Sequence, residues 1–237
     1  MIPKVIHYCW FGRGELPKSA QKCIASWRKY LPDYEIMQWN EDNFDVNVVP
    51  YTAQAYAARK WAFVSDYARM WVLYHHGGLY FDTDVEVVAS FDDITAAGAF
   101  MGIELADGER IAVAPGLGLG MEAGNAICRE VLDRFEQSDF AETNGIVPIT
   151  TDTLLCHGLR PVNEVQQIDD ITVYPIDYFN PLDDATGRLR RTENTRSIHW
   201  YSKTWMDFNP LRIKLSRWLH RWVGTSFTSK LRQRFRK

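Results

Sequence analysis

The 237-residue sequence has little cysteine and no long apolar run. Its cysteines, Cys9, Cys23, Cys128 and Cys156, are far apart and show neither metal-ligand nor redox spacing, so we expect buried, reduced thiols. No apolar segment approaches the roughly 20 residues needed to span a bilayer. The first residues do not show the charged and then apolar pattern of a signal peptide. These absences predict a cytoplasmic protein.

Basic residues are scarce in most of the chain. Residues 1–210 contain 18 basic and 30 acidic side chains, whereas residues 211–237 contain nine basic and no acidic ones. An acidic body argues against a nucleic-acid-binding surface, because phosphate neutralisation needs clustered Lys and Arg. With 46% hydrophobic and 24% charged residues, the composition is that of a globular protein. We expect one domain over residues 1–210 and a basic tail over 211–237.

The tail has the pattern of an amphipathic helix. One apolar stripe contains two tryptophans, and basic residues interleave with it; the stripe consists of Leu211, Leu215, Trp218, Leu219 and Trp222. Such a helix suits an anionic membrane surface, which would make the protein peripheral on the inner face of the membrane. The alternative is a helix that packs its stripe on the domain and leaves a solvated basic face.

The first forty residues have the pattern of an α/β sheet. Residues 4–11 and 34–39 read as strands, and residues 17–30 have helical spacing between them. Strand, helix and strand in this order predict parallel pairing. Ligands bind beyond the carboxyl ends of such strands, which points to residues 10–12 and 39–40.

A long, mostly apolar helix is predicted over residues 61–76. Asp66 and Arg69 lie three residues apart on its narrow polar arc, and such charges are almost never buried unpaired. They form either an internal salt bridge or part of a binding site. Gly77 and Gly78 end this helix and lead directly into an apolar strand over 79–81.

The remaining elements are read from shorter patterns. We expect strands and connections over 90–120, a helix from about 125 to 135, a helix N-cap at 150–152, and strands at 171–175 and 197–201. Gly116, Gly118 and Gly120 do not have the spacing of a dinucleotide fingerprint. We therefore expect close backbone approach at these glycines rather than a nicotinamide or flavin site.

Asp82 and Asp84 follow the apolar strand over 79–81. In an extended segment both side chains would point the same way, about 7 Å apart. Two such charges oppose folding unless a cation or a shared proton lies between them. Three interpretations stay open: a Mg²⁺ or Mn²⁺ site for a diphosphate, an aspartyl nucleophile and acid for a phosphate ester, or a solvated turn.

Several motifs in order carry a family resemblance. Residues 2–12 (IPKVIHYCWFG), 65–69 (SDYAR) and 77–84 (GGLYFDTD) resemble glycosyltransferase family 32, the Asp-x-Asp sugar-binding region proteins. These include α-mannosyltransferase-like enzymes and enzymes of capsular polysaccharide synthesis. The resemblance continues through 151–154, 178–181 and 197–201, and so covers roughly residues 1–205.

The resemblance implies a GT-A fold, a Rossmann-like α/β domain that binds a nucleotide sugar. It implies that Asp84, with Asp82 and His199, holds Mn²⁺ or Mg²⁺ against the donor diphosphate. Asp82 would also contact the donor ribose or sugar. Family members often have a second histidine where this chain has Trp200, so His199 is either a ligand or a core histidine.

By the same resemblance, Asp66 and Arg69 would bind the transferred sugar, and Trp10 would lie on the nucleobase. The implied catalytic residues are thus Asp66, Arg69, Asp82 and Asp84. The implied activity is metal-dependent, retaining transfer from a UDP- or GDP-sugar to a glycan or lipid-linked glycan in surface polysaccharide synthesis. A metal-dependent phosphoesterase and a non-catalytic sugar-binding protein are the alternatives.

Overall fold

The computed structural model describes residues 1–138, 140 and 145–202. The helices are α1 (Lys18–Tyr30), α2 (Pro50–Ala57), α3 (Trp61–His76), α4 (Asp92–Ala97), α5 (Ala126–Glu136), α6 (Ile146–Cys156) and α7 (Ile176–Phe179). The strands are β1 (Val5–Cys9), β2 (Glu35–Trp39), β3 (Gly78–Tyr80), β4 (Val85–Val87), β5 (Ala99–Ala106), β6 (Ile111–Val113), β7 (Leu119–Met121), β8 (Gln166–Ile168), β9 (Ile171–Tyr174), β10 (Leu182–Asp183), β11 (Arg188–Leu189) and β12 (Ser197–His199).

One mixed sheet forms the centre of the fold. Its strand order is β2-β1-β3-β7-β5-β9-β8, and β6 pairs with β5. Strand β1 is parallel to β2 and to β3, as is β5 to β9, whereas β7 runs antiparallel to both of its neighbours. The predicted parallel opening is confirmed, and β4 pairs with β12 in a separate antiparallel ribbon. The α/β fold class is confirmed.

Helices cover both faces of this sheet, and each face has its own apolar core. On one side α3 packs with α2, α5 and α6, and on the other side α1 packs near β4. Ala20, Ile24 and Trp27 form one stripe of α1, and this stripe is buried. The Nε1 of Trp27 also donates to the carbonyl oxygen of Val85 at 2.8 Å, which fixes β4 against α1. The layered arrangement buries an apolar face of each element.

Helix α3 has the bounds predicted from its sequence, and its C-terminus positions the site. Gly77 and Gly78 have positive φ angles of 64° and 104°, a backbone conformation that glycine adopts at little cost. The chain therefore reverses at once into β3, which pairs with β1 through Ile6 and Leu79. As a result, the polar arc of α3 lies beside the segment that follows β3.

Three sequence predictions need correction. Asp82 and Asp84 lie on a turn between β3 and β4, closed by a hydrogen bond from Val85 N to Asp82 O, and not in extended backbone. Helix α6 begins at Ile146 with Gly145 at its N-cap, so residues 150–152 lie inside the helix. Cys156 is exposed because it is the last residue of α6, whereas the other three cysteines are buried.

Residues 211–237, the predicted amphipathic tail, lie outside the described residues, so the tail and the division at residue 210 stay predictions. Within the described ranges, no helix combines the length and the apolar character that crossing a bilayer requires.

Candidate active site

A cavity of about 390 Å³ opens where β1 and β3 end. Trp10, Arg69, Asp82, Asp84 and His199 all line it, although they come from four separate parts of the chain. Asp66 lies behind Arg69 and is not among the lining residues. The predicted second cleft segment is wrong, because Trp39 is buried and donates its Nε1 proton to His7 Nδ1 at 3.0 Å.

Two carboxylates and one imidazole converge in this cavity. Asp82, Asp84 and His199 each offer one ligand atom, and these atoms lie within 4.8 Å of one another. His199 is far from the two aspartates in the sequence, and the β4–β12 ribbon brings it to them. In this ribbon His199 pairs directly with Val85, the residue after Asp84. Carboxylate oxygens with one imidazole nitrogen are a donor set that suits Mn²⁺ or Mg²⁺. The residues present therefore fit a divalent cation.

Asp84 is held from two sides. The Nε2 of His199 lies 3.2 Å from Asp84 Oδ1, while the backbone N–H and the hydroxyl of Ser202 donate to Oδ2 at 2.8 and 3.0 Å. Burial would raise the pKa of Asp84, but these partners lower it to about 2. Burial opposes protonation of His199, yet Asp84 and, more weakly, Asp82 and Glu104 raise the pKa of His199. Asp84 is thus held as an anion by the hydrogen bonds from Ser202 and by the His199 ring.

Arg69 joins both acidic regions of the site. Its Nη2 lies 3.0 Å from Asp66 Oδ1 and 3.2 Å from Asp82 Oδ1, and its side chain is only 6% exposed. Burial would lower the pKa of Arg69, but Asp82 and Asp66 raise it above the usual value. The salt bridge between Asp66 and Arg69, one of the two interpretations that the sequence left open, is therefore present, and it extends to Asp82. One buried guanidinium compensates two carboxylates.

Asp66 closes the inner side of this network. Its Oδ2 accepts a hydrogen bond from the backbone N–H of Ile146, the first residue of α6, at 3.3 Å. Burial raises the pKa of Asp66 to about 6, against the lowering effect of Arg69.

Asp82 has an unusually close backbone neighbour. Its N–H donates to Gly116 O at 3.0 Å, and a Cβ on Gly116 would lie 1.9 Å from Asp82 Oδ2. Tyr80 donates to Asp82 Oδ1 at 3.2 Å, and its ring lies under the Arg69 guanidinium. The sequence predicts close backbone approach at Gly116, Gly118 and Gly120. This approach is present at Gly116, where only glycine leaves room for the Asp82 carboxylate.

The other end of the cavity is aromatic. Trp10 is half-buried and donates its Nε1 proton to Gly14 O at 2.7 Å, which fixes the ring. Trp61 also lines the cavity, and a Cβ on Gly12 would lie 2.7 Å from the Trp61 ring. With φ of 92°, Gly12 is therefore required both by conformation and by space. An apolar wall thus faces the charged end.

Glu104, Tyr201 and Ser202 line the cavity and were not predicted as site residues from the sequence. Each of them contacts residues of the site that are far away in the sequence. No short sequence motif contains any of them together with Asp82. Trp200, the residue after His199, is 41% exposed and donates its Nε1 proton to Glu86 on β4.

Comparisons with known proteins agree with this geometry. Residues 17–101 match the family described as "Glycosyltransferase sugar-binding region containing DXD motif". The chain is 26% identical over 111 residues to inositol phosphoceramide mannosyltransferase 1 of Schizosaccharomyces pombe. That alignment covers 42% of this chain, and the chain spans only 33% of the length of this relative.

Two solved structures share the fold. The PaToxG glycosyltransferase superposes with a TM-score of 0.52 and 21% identity, over 65% of this chain and 69% of its own. A glycosyltransferase involved in the glycosylation of the major capsid of PBCV-1 also superposes with a TM-score of 0.52. Its sequence identity is 13%, and the superposition covers 85% of this chain and 95% of the other. At these identities the likeness concerns the fold.

The α/β architecture is that of the GT-A glycosyltransferases. Within that class the chain is similar to glycosyltransferase family 32, whose Asp-x-Asp sugar-binding region it carries. The resemblance predicted from the sequence is confirmed, and it supports a glycosyltransferase function.

Proposed function

We propose that this protein transfers a sugar from a UDP- or GDP-sugar to a glycan or lipid-linked glycan, with retention of the anomeric configuration and with the help of a divalent cation. The observation that carries the proposal is the convergence of three features on one cavity. These are the carboxylate–imidazole group, the Arg69 network and the aromatic wall of Trp10 and Trp61.

The charged end suits the donor diphosphate. Asp82, Asp84 and His199 would hold Mn²⁺ or Mg²⁺, which when bound stabilises the negative charge of the leaving diphosphate. In the free protein His199 and Ser202 keep Asp84 ionised and oriented. The site is therefore preorganised before any ligand arrives.

Arg69 and the two carboxylates on either side of it suit the transferred sugar. The Arg69 fork is fixed by Asp66 and Asp82, and it presents N–H donors at the cavity wall. Asp66 acts by fixing Arg69, since Asp66 is not among the residues that line the cavity. At the other end, the flat face of Trp10 suits a nucleobase.

In the proposed reaction the bond between the anomeric carbon and the diphosphate oxygen breaks, and its electron pair leaves with the diphosphate. The acceptor oxygen forms the new bond on the same face, and its proton passes to the departing diphosphate oxygen. Groups that bind the developing charge more tightly than the ground state accelerate this step. No protein side chain is needed as a strong base.

A panel of UDP- and GDP-sugars with Mn²⁺, with nucleotide release as the readout, tests the proposal. The wild type should release nucleotide from at least one donor, and Asp84→Asn should lose this activity. Release of phosphate from a simple ester would favour a phosphoesterase. Sugar binding without turnover that survives Asp84→Asn would favour a non-catalytic sugar-binding protein.

We propose surface or capsular polysaccharide as the context, at the inner face of the membrane. The support is the net basic segment 211–237. Sedimentation with anionic liposomes, compared between the full chain and a chain ending at Pro210, tests this. Loss of sedimentation on truncation is expected, and equal sedimentation contradicts it.

A further inference from the structure

Glu104 is a carboxylate of the cavity wall to which the proposed reaction assigns no role. It is the sixth residue of β5, whose first five residues are buried and whose next residue, Leu105, is 39% exposed. Glu104 therefore lies where the strand passes from the core to the surface. A substrate that enters from solvent can reach it.

One oxygen of Glu104 is fixed by a chain of directed hydrogen bonds. Asn180 Nδ2 donates to Tyr201 Oη at 2.7 Å and to Glu104 O at 3.4 Å. Tyr201 in turn donates its single phenolic proton to Glu104 Oε1 at 3.2 Å.

Tyr201 is itself held in a strained position. Its φ is 51°, in the left-handed region that a residue other than glycine rarely adopts. Its ring lies against the His199 imidazole, with 4.1 Å between the ring centroids. Backbone strain that persists next to a cavity often accompanies a functional constraint. Here the Tyr201 hydroxyl donates to Glu104 Oε1.

The chemistry of Glu104 limits what it can face. An ionised carboxylate only accepts hydrogen bonds. It repels phosphate and carboxylate groups that approach without a cation. Within the proposed function, the cation group and the Arg69 network account for the diphosphate and the transferred sugar. The remaining substrate is the acceptor, which brings a hydroxyl proton.

We propose that Glu104 is an acceptor-binding residue that takes a hydrogen bond from a sugar hydroxyl, and that it selects neutral, hydroxyl-bearing acceptors over acidic sugars. Tyr201 is the positioning residue for Glu104. This proposal rests on the proposed function.

Saturation-transfer NMR with defined probes tests it in the presence of Mg²⁺, UDP and GDP. The neutral probes are methyl glycosides of glucose, galactose and mannose, and the acidic probe is methyl glucuronide. At least one neutral glycoside should bind the wild type. Glu104→Gln should weaken its binding about tenfold, the usual effect of losing a hydrogen bond to a charged group.

The preference for neutral over acidic glycosides gives a second measurement. A change in Glu104 that only disturbed the structure would not alter this preference. The wild type should prefer the neutral glucoside to the glucuronide, and Glu104→Gln should reduce this preference. Glu109→Gln is the matched control, because Glu109 is exposed on the turn after β5 and does not line the cavity. Tyr201→Phe should weaken neutral glycoside binding by a smaller factor than Glu104→Gln.

The proposal is overturned if no neutral glycoside binds the wild type, or if Glu104→Gln and Glu109→Gln behave alike. Nucleotide release from the sugar-nucleotide panel, measured on the same wild-type preparation, separates the two proposals. Glycoside binding that depends on Glu104 without any nucleotide release contradicts the proposed transfer alone. Nucleotide release without glycoside binding contradicts the role of Glu104 alone.

Discussion

Ser202 donates two hydrogen bonds to one oxygen of Asp84, from its backbone N–H and from its hydroxyl, across 118 residues of chain. Ser202 therefore fixes the carboxylate on the turn between β3 and β4. Because the β4–β12 ribbon joins the same two regions, strand pairing and site geometry depend on each other.

Ser202→Ala should raise the Mn²⁺ concentration for half-maximal nucleotide release about tenfold, a typical effect of losing a hydrogen bond that orients a metal ligand. The backbone N–H of Ser202 remains, so activity should be reduced and not lost. Ser138→Ala is the control, since the Ser138 hydroxyl donates to Arg134 O on α5, away from the cavity. An unchanged Mn²⁺ requirement in Ser202→Ala would show that the hydroxyl does not orient Asp84.

Arg69→Ala should destabilise the protein by about 3–5 kcal/mol, because two carboxylates would lose their buried counter-charge. Arg69→Lys keeps the charge but loses the fork that reaches Asp66 and Asp82 together. We expect Arg69→Lys to retain most of the stability and to lose most of the nucleotide release. Urea unfolding and nucleotide release measured on both variants check this, and equal destabilisation by the two would refute it.

Gly116→Ala should disable the site by displacing Asp82, because the added Cβ would lie 1.9 Å from Asp82 Oδ2. We expect nucleotide release to fall at least as far as in Asp82→Ala. The control is a double-mutant cycle read by thermal unfolding. In the Asp82→Ala background, Gly116→Ala should cost much less stability than in the wild type. A cost that is the same in both backgrounds would place the clash elsewhere.

His7 should make the fold sensitive to acid. It is buried, Trp39 donates to its Nδ1, and its Nε2 lies 3.0 Å from Gly77 O, so Nε2 carries the proton of a neutral ring. Burial lowers the pKa of His7 from 6.5 to about 4. The unfolded chain therefore binds the proton first as pH falls, and the stability present above pH 6.5 decreases towards pH 4.

From pH 7 to pH 5 we expect His7 to account for a loss of about 2 kcal/mol in the free energy of unfolding. Urea denaturation at both pH values measures this for the wild type and for His7→Gln. The variant should show a smaller loss than the wild type over this interval. Equal losses would mean that His7 is protonated in the folded state at pH 5.

The sequence was most informative where the structure is local. The apolar period of α3 was enough to predict the helix, and the three-residue spacing of Asp66 and Arg69 on it made the observed ion pair one of two interpretations. Gly77 and Gly78 likewise predicted the helix end, since few other residues adopt positive φ at low cost.

The features that could not be predicted from the sequence depend on tertiary contacts. The turn at Asp82 and Asp84 is imposed by Gly116, Val85 and Ser202, and no alternation of residues signals it. Helix α6 starts at a glycine N-cap with φ of 85°, and not at the threonine and aspartate residues that usually mark a helix start. Glu104 reads as an ordinary strand residue until β12 brings Tyr201 to it.

Calorimetry of UDP and of GDP binding, with and without Mn²⁺, tests the central claim that Asp82, Asp84 and His199 hold a cation for a nucleoside diphosphate. For the wild type we expect Mn²⁺ to tighten the binding of one nucleotide by at least an order of magnitude, and Asp84→Asn to abolish this coupling. Binding of both nucleotides that is independent of Mn²⁺ in the wild type would contradict the claim.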